Sequence, residues 1–349
     1  MEKSTIRQIA VKAGVSPATV SRAMHSPHLL KDSTLQRIRA VMSETRYVYN
    51  KAAADLTTKK AMTIGLIVPT IANSIHAGLI HGIQAAAQEE GHTVVIGNTD
   101  YALETELELL RVFIERRVTG IIQAGTLPDE AFDLMVTARD YGIPTVIVWE
   151  CSNRRDISSV GVDNYSASYA IVDHLMQLGH RRLGLIIGPY HRLNRLQQRL
   201  DGYRDCLASY GVSFDERLVL DRDHSMLCGA EAMRQMLRLP ERPTAIFAAS
   251  DVLAYGALSE MKRSGIRVPN DVSIAGFDDI EFAAFSDPPL TTVHVPAREM
   301  GTQAVRVLLD MTTRGDEAIA HYCFDSDVIQ RKSTGPVSTR PVSLSSPAR

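Results

Sequence analysis

The sequence is poor in residues arranged for metal, redox or covalent chemistry. Its four cysteines are too widely separated for a Cys-x-x-Cys motif: they are Cys151, Cys206, Cys228 and Cys323. Isolated cysteines usually behave as small packed apolar residues, so we predict reduced thiols and no disulfide. The histidines at 76, 81, 92 and 174 lack the i, i+4 spacing and the third ligand of a zinc site. We therefore expect no metal ion, and solvated or capping histidines at these positions.

Several longer patterns are missing as well. The chain has no Gly-x-Gly-x-x-Gly, Gly-x-x-x-x-Gly-Lys-Ser/Thr or Gly-x-Ser-x-Gly motif, which argues against a cofactor loop and a nucleophile elbow. We therefore expect no cofactor and no enzymatic activity. There is also no run of eighteen apolar residues, and the N-terminus is polar. This pattern predicts a cytoplasmic protein with neither a membrane span nor a signal peptide.

The chain does have length and an uneven distribution of charge. Its 349 residues exceed the usual limit for a single core, which favours two or three domains. The first 60 residues contain eleven Lys and Arg against four acids, a net charge of +7, although the whole chain carries −2. The remaining residues therefore carry −9. A basic head on an acidic body is typical of a phosphate-binding module joined to another domain.

Residues 5–24 have the pattern of two short helices joined by a tight turn. Thr5 and Gln8 form a capping box, and Gly14 lies where the chain must reverse. Ser16 then caps a second helix that has Pro17 at its first position. A third helix is predicted from residue 32 or 33 to residue 46. This is a helix-turn-helix pattern. The alternative is a three-helix bundle that binds nothing.

In a helix-turn-helix the second helix enters the major groove of DNA. The residues of the head predicted to contact DNA are Thr5, Ser16, Pro17, Ala18, Thr19, Ser21 and Arg22. Arg22 alone among them has a planar fork of donors that can span guanine O6 and N7, so we assign it the readout of a G·C pair. Thr19 and Ser21 are better suited to phosphates.

The run Thr-Ile-x-x-Ile-Ala-x-x-Ala-Gly-Val-Ser-x-Ala-Thr-Val-Ser-Arg-Ala, which starts at Thr5, resembles the head of the lactose/galactose repressor (LacI/GalR) family. The resemblance implies that residues 48–61 are a hinge, which becomes helical in the minor groove at the operator centre. Leu56 would be the hinge leucine that wedges between base steps and kinks the duplex. A core leucine under the next domain is the alternative.

Other hinge positions agree with the family only in part. Asn50 and Ala53 match it, and Lys51 is expected to contact phosphate. Arg46, Tyr49 and Ala54 stand where the family usually has Gly, Pro and Arg. These departures affect the entry geometry of the hinge and one contact to the groove or to phosphate.

From residue 62 the sequence alternates between strand and helix patterns, which indicates βαβ units and parallel sheets. Strands are predicted at 62–68, 93–97, 119–124, 144–148, 158–162, 182–187, 218–220, 244–249 and 272–277. Helices are predicted at 75–90, 104–116, 128–140, 166–178, 196–210, 226–238 and 251–264. The stretches 179–184, 265–279 and 288–293 resemble the periplasmic-binding-protein type I core of the same family.

The predicted fold class is therefore α/β, with an all-α helix-turn-helix head, a hinge and two doubly wound parallel-sheet lobes. The head covers 1–47, the hinge 48–61 and the effector-binding and dimerisation domain 62–331. Within that domain, lobe 1 is expected at about 62–161 and 291–325, and lobe 2 at about 162–290. Residues 332–349 are rich in Ser, Thr and Pro and are predicted to be a disordered tail.

Open α/β sheets bind ligands beyond the carboxyl ends of their strands. The polar and aromatic residues near these ends give the candidates Ser74, Asn98, Trp149, Glu150, Asp163, Ser250 and Asp278, and the family resemblance adds Arg199. On the resemblance, Arg199 and Asp278 match the family's effector-binding arginine and aspartate. A guanidinium and a carboxylate can hold vicinal hydroxyls, and an aromatic ring such as Trp149 can cover an apolar ring face. The alternatives are a surface salt bridge for Arg199 and a helix cap for Asp278.

The effector is therefore expected to be a small hydroxylated molecule: a sugar, a sugar acid or a sugar phosphate. Arg192 and Arg195 beside Arg199 favour the acid or phosphate, unless they point to solvent. Ser250 stands where sugar-binding relatives often have Asn, and Val295 and Ala297 stand where some have Gln and an aromatic residue. The ligand therefore need not be a familiar sugar.

Together these features predict a repressor of a carbohydrate utilisation operon, acting as a homodimer or higher oligomer on a near-palindromic DNA operator. Two other classes remain open: a ligand-binding receptor without DNA-binding activity, and an enzyme on a doubly wound fold. The sequence also leaves open whether the effector weakens or strengthens DNA binding.

Overall fold

The computed structural model describes residues 5–25, 27–47, 62–125, 129–152, 154, 156–315 and 319–338. The chain divides into two compact units, Met1–Ala61 and Met62–Arg349. The predicted hinge lies outside the described residues, and with it Tyr49, Asn50, Lys51, Ala53, Ala54 and Leu56.

The described residues of the first unit form three α-helices, α1 (Ile6–Ala13), α2 (Pro17–His25) and α3 (Asp32–Glu44). Gly14 ends α1 in the left-handed conformation, with φ at 62°, which costs a residue without a Cβ little. The apolar faces of the three helices meet at Ile9, Val20 and Ile38, all with no exposed surface. The helix-turn-helix pattern predicted for this region is confirmed by the structure.

The capping box at the start of α1 has a measurable effect on stability. Gln8 N–H donates to Thr5 Oγ1 at 3.4 Å, and Thr5 N–H donates to Gln8 Oε1 at 2.7 Å. Thr5→Ala should cost about 1 kcal/mol, seen as roughly fivefold faster exchange of the α1 amide hydrogens in the full-length protein. Thr5→Ser keeps the hydroxyl and should leave exchange nearly unchanged. Equal exchange in Thr5→Ala and wild type would show that the cap contributes nothing.

The second unit contains two parallel sheets. The six-stranded sheet of lobe 1 has the order β11-β5-β4-β3-β1-β2. Its strands are β1 (Thr63–Val68), β2 (Thr93–Asn98), β3 (Gly120–Gln123), β4 (Thr145–Glu150), β5 (Ser158–Val162) and β11 (His321–Phe324). Its helices are α4 (Ser74–Glu89), α5 (Leu103–Glu115), α6 (Asp129–Asp140) and α11 (Ala297–Arg314). Gly82 and Gly301 let α4 and α11 pack closely, because a Cβ at either would clash with a carbonyl oxygen of the other helix.

Lobe 2 contains a four-stranded sheet of order β7-β6-β8-β9. Its strands are β6 (Leu183–Ile187), β7 (Val219–Asp221), β8 (Ala245–Ala248) and β9 (Ser273–Ala275), and its helices are α7 (Asn164–Gln177), α8 (Asn194–Ser209), α9 (Met226–Leu237) and α10 (Asp251–Arg263). The short strands β10 (Thr292–Val293) and β12 (Val328–Ile329) pair with each other in antiparallel fashion. The predicted α/β class with two parallel sheets is confirmed, and the predicted strands and helices differ from these bounds by a few residues at most.

The prediction of four reduced cysteines is wrong, because Cys151 and Cys323 form a disulfide. They lie 172 residues apart in sequence. However, Cys151 follows β4 and Cys323 lies on β11, and both of these strands pair with β5. Their proximity arises from the strand order, which cysteine spacing does not reveal. Cys206 and Cys228 are free, and Cys206 is buried as expected.

The prediction of a disordered tail is wrong for residues 332–338. Ser333 has no exposed surface, accepts a hydrogen bond from Thr291 N–H at 2.8 Å and donates one to the Ile274 carbonyl at 2.6 Å. Further along, Val337 N–H donates to the Leu178 carbonyl at 3.0 Å. Small hydroxyl and glycine residues can satisfy buried backbone groups, so a composition that suggests disorder here serves packing. Residues 339–349 lie outside the described residues.

Within the described ranges, none of the helices combines the length and apolar character needed to span a bilayer.

Candidate functional site

The outward face of α2 carries the side chains predicted to meet DNA. Ser16, Pro17, Ala18 and Arg22 are exposed, whereas Thr19 and Ser21 are half-buried. Ser16 Oγ accepts a hydrogen bond from Thr19 N–H at 3.1 Å and lies 2.8 Å from Thr19 Oγ1. Ser16 therefore caps α2 as expected, and the same bonds fix Thr19 at the leading end of the helix.

In the second unit, a cleft lies between the carboxyl ends of the strands of the two lobes, as open α/β sheets require. Its outer part encloses about 690 Å³, a volume suited to a small ligand. The residues that line this part include Asn73, Ser74, Asp100, Tyr101, Pro189, Leu193, Asp223, His224 and Met226. A smaller inner chamber of about 30 Å³ shares Asn73, Tyr101 and His224 with it.

Aromatic and imidazole rings from both lobes surround the inner chamber. Trp149 and His76 belong to lobe 1 and meet edge to face, with ring centroids 5.1 Å apart. Tyr101 of lobe 1 and His224 of lobe 2 are nearly parallel, with their planes 8° apart and centroids 6.1 Å apart. Burial, together with the positive charge of Arg195, lowers the pKa of both histidines to about 3. Both imidazoles are therefore neutral at physiological pH.

A buried polar network joins the two lobes beneath these rings. Arg199 donates through Nε to Asn164 Oδ1 at 2.9 Å and through Nη1 to the Ala249 carbonyl at 2.6 Å. Asn164 in turn donates to the Trp149 carbonyl at 2.9 Å. The Arg199 guanidinium also lies 3.5 Å from the centroid of the Phe277 ring and 4.0 Å from Asp278. Arg199 is thus a structural centre of the cleft as well as one of its lining residues.

Asp278 lies opposite Arg199 in an unusual environment. Burial raises its pKa to about 7, although Arg199 and Arg195 oppose that shift. Asp251, whose carboxylate accepts hydrogen bonds from Thr292 Oγ1 and Ile280 N–H, also has a raised pKa, mainly through burial and then through Asp278. The backbone φ is 119° at Asp278 and 82° at Trp149. Such conformations are costly for residues with a Cβ and often occur at ligand-binding sites.

Five of the eight predicted effector residues line the cleft. Ser74 lines its outer part, and Trp149, Arg199, Ser250 and Asp278 line the inner chamber. The surface-salt-bridge alternative for Arg199 is wrong, because its side chain is 8% exposed. Ser250 is also the N-cap of α10.

The other three predicted residues have different contacts. Asn98 accepts a hydrogen bond from Ile71 N–H and donates to Asp100, so it shapes the loop after β1. Glu150 accepts from Asn194, and Asp163 caps α7 through Ser166. These side chains are not among those that line either part of the cleft. Their partners satisfy the acceptor oxygens that were expected to meet effector hydroxyls.

Sequence reasoning missed three important lining residues, His76, Tyr101 and His224, whereas Arg195, which was expected beside Arg199, lines the inner chamber. His76 was predicted to be a solvated or capping histidine, yet it is 4% exposed. It lies in the first turn of α4, the helix that follows the loop after β1, and that position was the available signal. His224 follows β7, and the predicted effector-binding set contains no residue from the carboxyl end of that strand.

The argument for an acidic effector is weakened by the structure. Two donors of Arg199 already bond to protein oxygens, and Asp278 balances its charge. Arg195 is half-buried and donates to the Gly125 carbonyl at 3.4 Å. No group of three or more His, Cys, Asp or Glu suited to a metal ion occurs in the described part of the chain.

Comparisons with known proteins give a consistent result. Residues 5–50 match the bacterial regulatory proteins of the lacI family, and residues 172–334 match the periplasmic binding protein-like domain. The chain is 34% identical to the HTH-type transcriptional repressor CytR of Escherichia coli (strain K12) over 332 residues, which cover 95% of this chain and 96% of CytR.

Two solved structures extend the similarity. The Lac repressor dimer bound to operator and the anti-inducer ONPF is 26% identical with a TM-score of 0.83, covering 96% of this chain and 100% of that one. The CelR-cellobiose complex is 28% identical with a TM-score of 0.70, covering 95% and 100%. The chain belongs to the lacI family of bacterial regulatory proteins, which are DNA-binding transcriptional regulators.

Proposed function

We propose that this protein is a repressor that binds a near-palindromic operator as a homodimer and is controlled by a small hydroxylated effector held between its two lobes. The observation that carries the proposal is one chain with both an exposed, capped recognition helix and an interlobe cleft centred on the Arg199–Asp278 pair. CytR is a repressor, and the similar Lac repressor structure is a dimer on its operator. The proposal includes a cytoplasmic location, where operator DNA is accessible to the protein.

Exposed apolar side chains support self-association. Val95 and Ile96 on the edge strand β2 are 42% and 37% exposed, and Phe282 and Phe285 in lobe 2 are 57% and 76% exposed. Such side chains at the surface of a chain are candidates for burial against a second copy. Two heads related by a two-fold axis would then read two half-sites of opposite orientation.

Arg22→Ala tests the head. Loss of a bidentate contact to guanine should weaken operator binding by about 1–3 kcal/mol and relax specificity at one G·C pair. Lys51→Ala is the comparison, because loss of a phosphate contact should weaken binding to all DNA sequences by the same factor. Fluorescence anisotropy with an operator and its single-base variants measures both effects. An Arg22→Ala protein that keeps full discrimination at every position would refute this assignment.

The hinge is part of the proposal, although it lies outside the described residues. Leu56→Ala should reduce operator bending more than it reduces non-specific binding, because the wedge acts only on the kinked site. Circular-permutation gel shifts measure the bend. Unchanged bending and affinity in Leu56→Ala would show that Leu56 is not the wedge.

The effector would act through the lobes. A ligand that prefers one arrangement of the cleft shifts operator affinity by its differential affinity for the two states and by no more. In induction the effector weakens operator binding, and in corepression it strengthens operator binding through the same cleft. Measuring operator affinity with and without effector distinguishes the two.

A further inference from the structure

We propose that the effector carries a planar, uncharged aromatic ring, which enters between Tyr101 and His224 and places one edge against Trp149. The inference rests on the proposed function, because it names the chemical class of molecule that the cleft would take. A nucleoside and a heteroaryl or aryl glycoside share this chemistry, since each joins a flat ring to a hydroxylated group.

The separation of two rings is the first observation. Tyr101 and His224 come from opposite lobes, their planes are 8° apart, and their centroids are 6.1 Å apart. Carbon atoms in stacked rings lie about 3.5 Å apart, so a third ring between them needs about 7 Å. Because the centroid distance includes any sideways offset of the two rings, it is an upper limit on the gap between their planes, and the lobes must open by at least about 1 Å to admit one flat ring. A puckered saturated ring is thicker and needs a wider opening.

The backbone holds His224 in this position. A Cβ at Gly188 would overlap Cε1 of the His224 imidazole, so glycine at 188 allows the ring to lie against the strand end of β6. Gly188→Ala should therefore displace the His224 ring although no residue that faces the slot has been substituted.

Two unpaired polar atoms at the inner end are the second observation. Trp149 Nε1 and His76 Nδ1 have no hydrogen-bond partner among the described residues, and the two side chains are only 5% and 4% exposed. Buried polar atoms are almost always paired, so their lack of partners indicates a ligand atom in the functional state. Indole N–H needs an acceptor, such as a ring nitrogen or an exocyclic carbonyl. The hydroxylated group would lie in the outer cleft beside Asn73, Ser74 and Asp223.

The charges of the site favour an uncharged ring. His76 and His224 are neutral because burial lowers the pKa of each to about 3. Arg199 bonds to Asn164 Oδ1 and to the Ala249 carbonyl through two of its five N–H donors. The histidine rings against which the ligand ring would lie therefore offer no counter-charge to an ionic ring, although Arg195, Arg199 and Asp278 also line the chamber.

Trp149 provides a direct assay, because it is the only tryptophan in the chain. The full-length protein is titrated with adenosine, cytidine, phenyl β-glucoside, ribose and cellobiose while its tryptophan fluorescence is recorded. We expect saturable quenching by at least one ring-bearing compound, with an affinity at least about tenfold higher than that for ribose or cellobiose. Comparing the affinities for adenosine and cytidine with that for phenyl β-glucoside shows whether the ring belongs to a nucleoside or to an aryl glycoside.

Variants test the slot itself. We expect about tenfold lower affinity for the tightest-binding ring compound in each of three variants, Tyr101→Leu, His224→Leu and Gly188→Ala. Trp149→Phe should weaken the binding of a ligand whose ring has a hydrogen-bond acceptor and leave the binding of phenyl β-glucoside unchanged, as measured by calorimetry. Tyr141→Leu is the control, because Tyr141 is 59% exposed and does not line the cleft, and it should bind as wild type does. Circular dichroism verifies that each variant is folded.

Three results would overturn the inference. In the first, ribose or cellobiose binds as tightly as any ring compound. In the second, no ring compound quenches Trp149 fluorescence at millimolar concentration. In the third, Tyr101→Leu and His224→Leu both bind the ring compound with unchanged affinity. A protein that binds a ring compound through Tyr101 and His224 but protects no palindromic DNA would retain the inference and refute the proposed function. A protein that protects a palindromic operator but binds no ring compound would retain the proposed function and refute the inference.

Discussion

Arg199→Ala is expected to lower the unfolding free energy of the larger unit by about 3–5 kcal/mol. The substitution leaves Asn164 Oδ1 and the Ala249 carbonyl without their donor, and it leaves buried Asp278 without its nearest cation. It also removes the guanidinium that lies over the Phe277 ring. Urea unfolding followed by circular dichroism measures the loss, and operator binding should no longer respond to effector.

Two further variants show whether this loss is specific. Arg199→Lys keeps the charge, but a single ammonium cannot reproduce the forked geometry at Asn164 and Ala249, so much of the loss should remain. Arg204→Ala removes an arginine from the same helix whose side chain is 45% exposed and pairs with Asp201. Its cost should stay below about 1 kcal/mol. Equal stabilities of Arg199→Ala and Arg204→Ala would contradict the role given to Arg199.

Asp278 should make the stability of the wild-type protein fall as pH rises from about 4 to 7. Its pKa is raised from the model-peptide value of 3.8 to about 7, so the folded protein holds a proton in this window that the unfolded chain releases. The stabilisation is fully present below the unfolded pKa and is lost as pH rises through the folded pKa. A shift of about three units corresponds to at most about 4 kcal/mol.

The Asp278→Asn variant isolates this effect. His76 and His224 act in the opposite direction, because their lowered pKa values add stability as pH rises from about 3 to 6.5. Both proteins contain these histidines, so the difference between their unfolding free energies reports Asp278 together with its effect on the pKa of Asp251. Urea unfolding from pH 4.5 to 7.5 should show the variant gaining stability relative to wild type. Asp287→Asn, at a 91% exposed side chain, should show no such trend, and parallel curves for Asp278→Asn would contradict the raised pKa.

The fold followed from local sequence patterns. The capping box at Thr5 and Gln8, the turn at Gly14 and the Ser16–Pro17 helix start each act within a few residues, and the structure has all of them. Strand and helix periods likewise depend on neighbouring residues, which explains why the element bounds agree closely. Arg199 was identified only because the chain resembles a known family, whereas Asp278 also follows directly after a predicted strand.

The features that sequence reasoning missed depend on distant residues coming together. Cys151 meets Cys323 only because β11 joins the sheet beside β5. Ser333 is buried because Thr291 and Ile274 supply its partners. Asp163 and Glu150 lie at strand ends, yet Ser166 and Asn194 bind their carboxylates. A strand end alone therefore identifies where a cleft forms, but not which side chains face it.

The most direct test of the central claim is DNase I footprinting of the full-length protein on genomic DNA fragments at low salt, repeated with the compound that quenches Trp149 fluorescence most strongly. We expect one protected, near-palindromic site whose protection changes when the compound is added, and Arg22→Ala should lose that protection first. Absence of any protected palindrome, or protection that is indifferent to every compound bound in the cleft, would contradict an effector-controlled repressor.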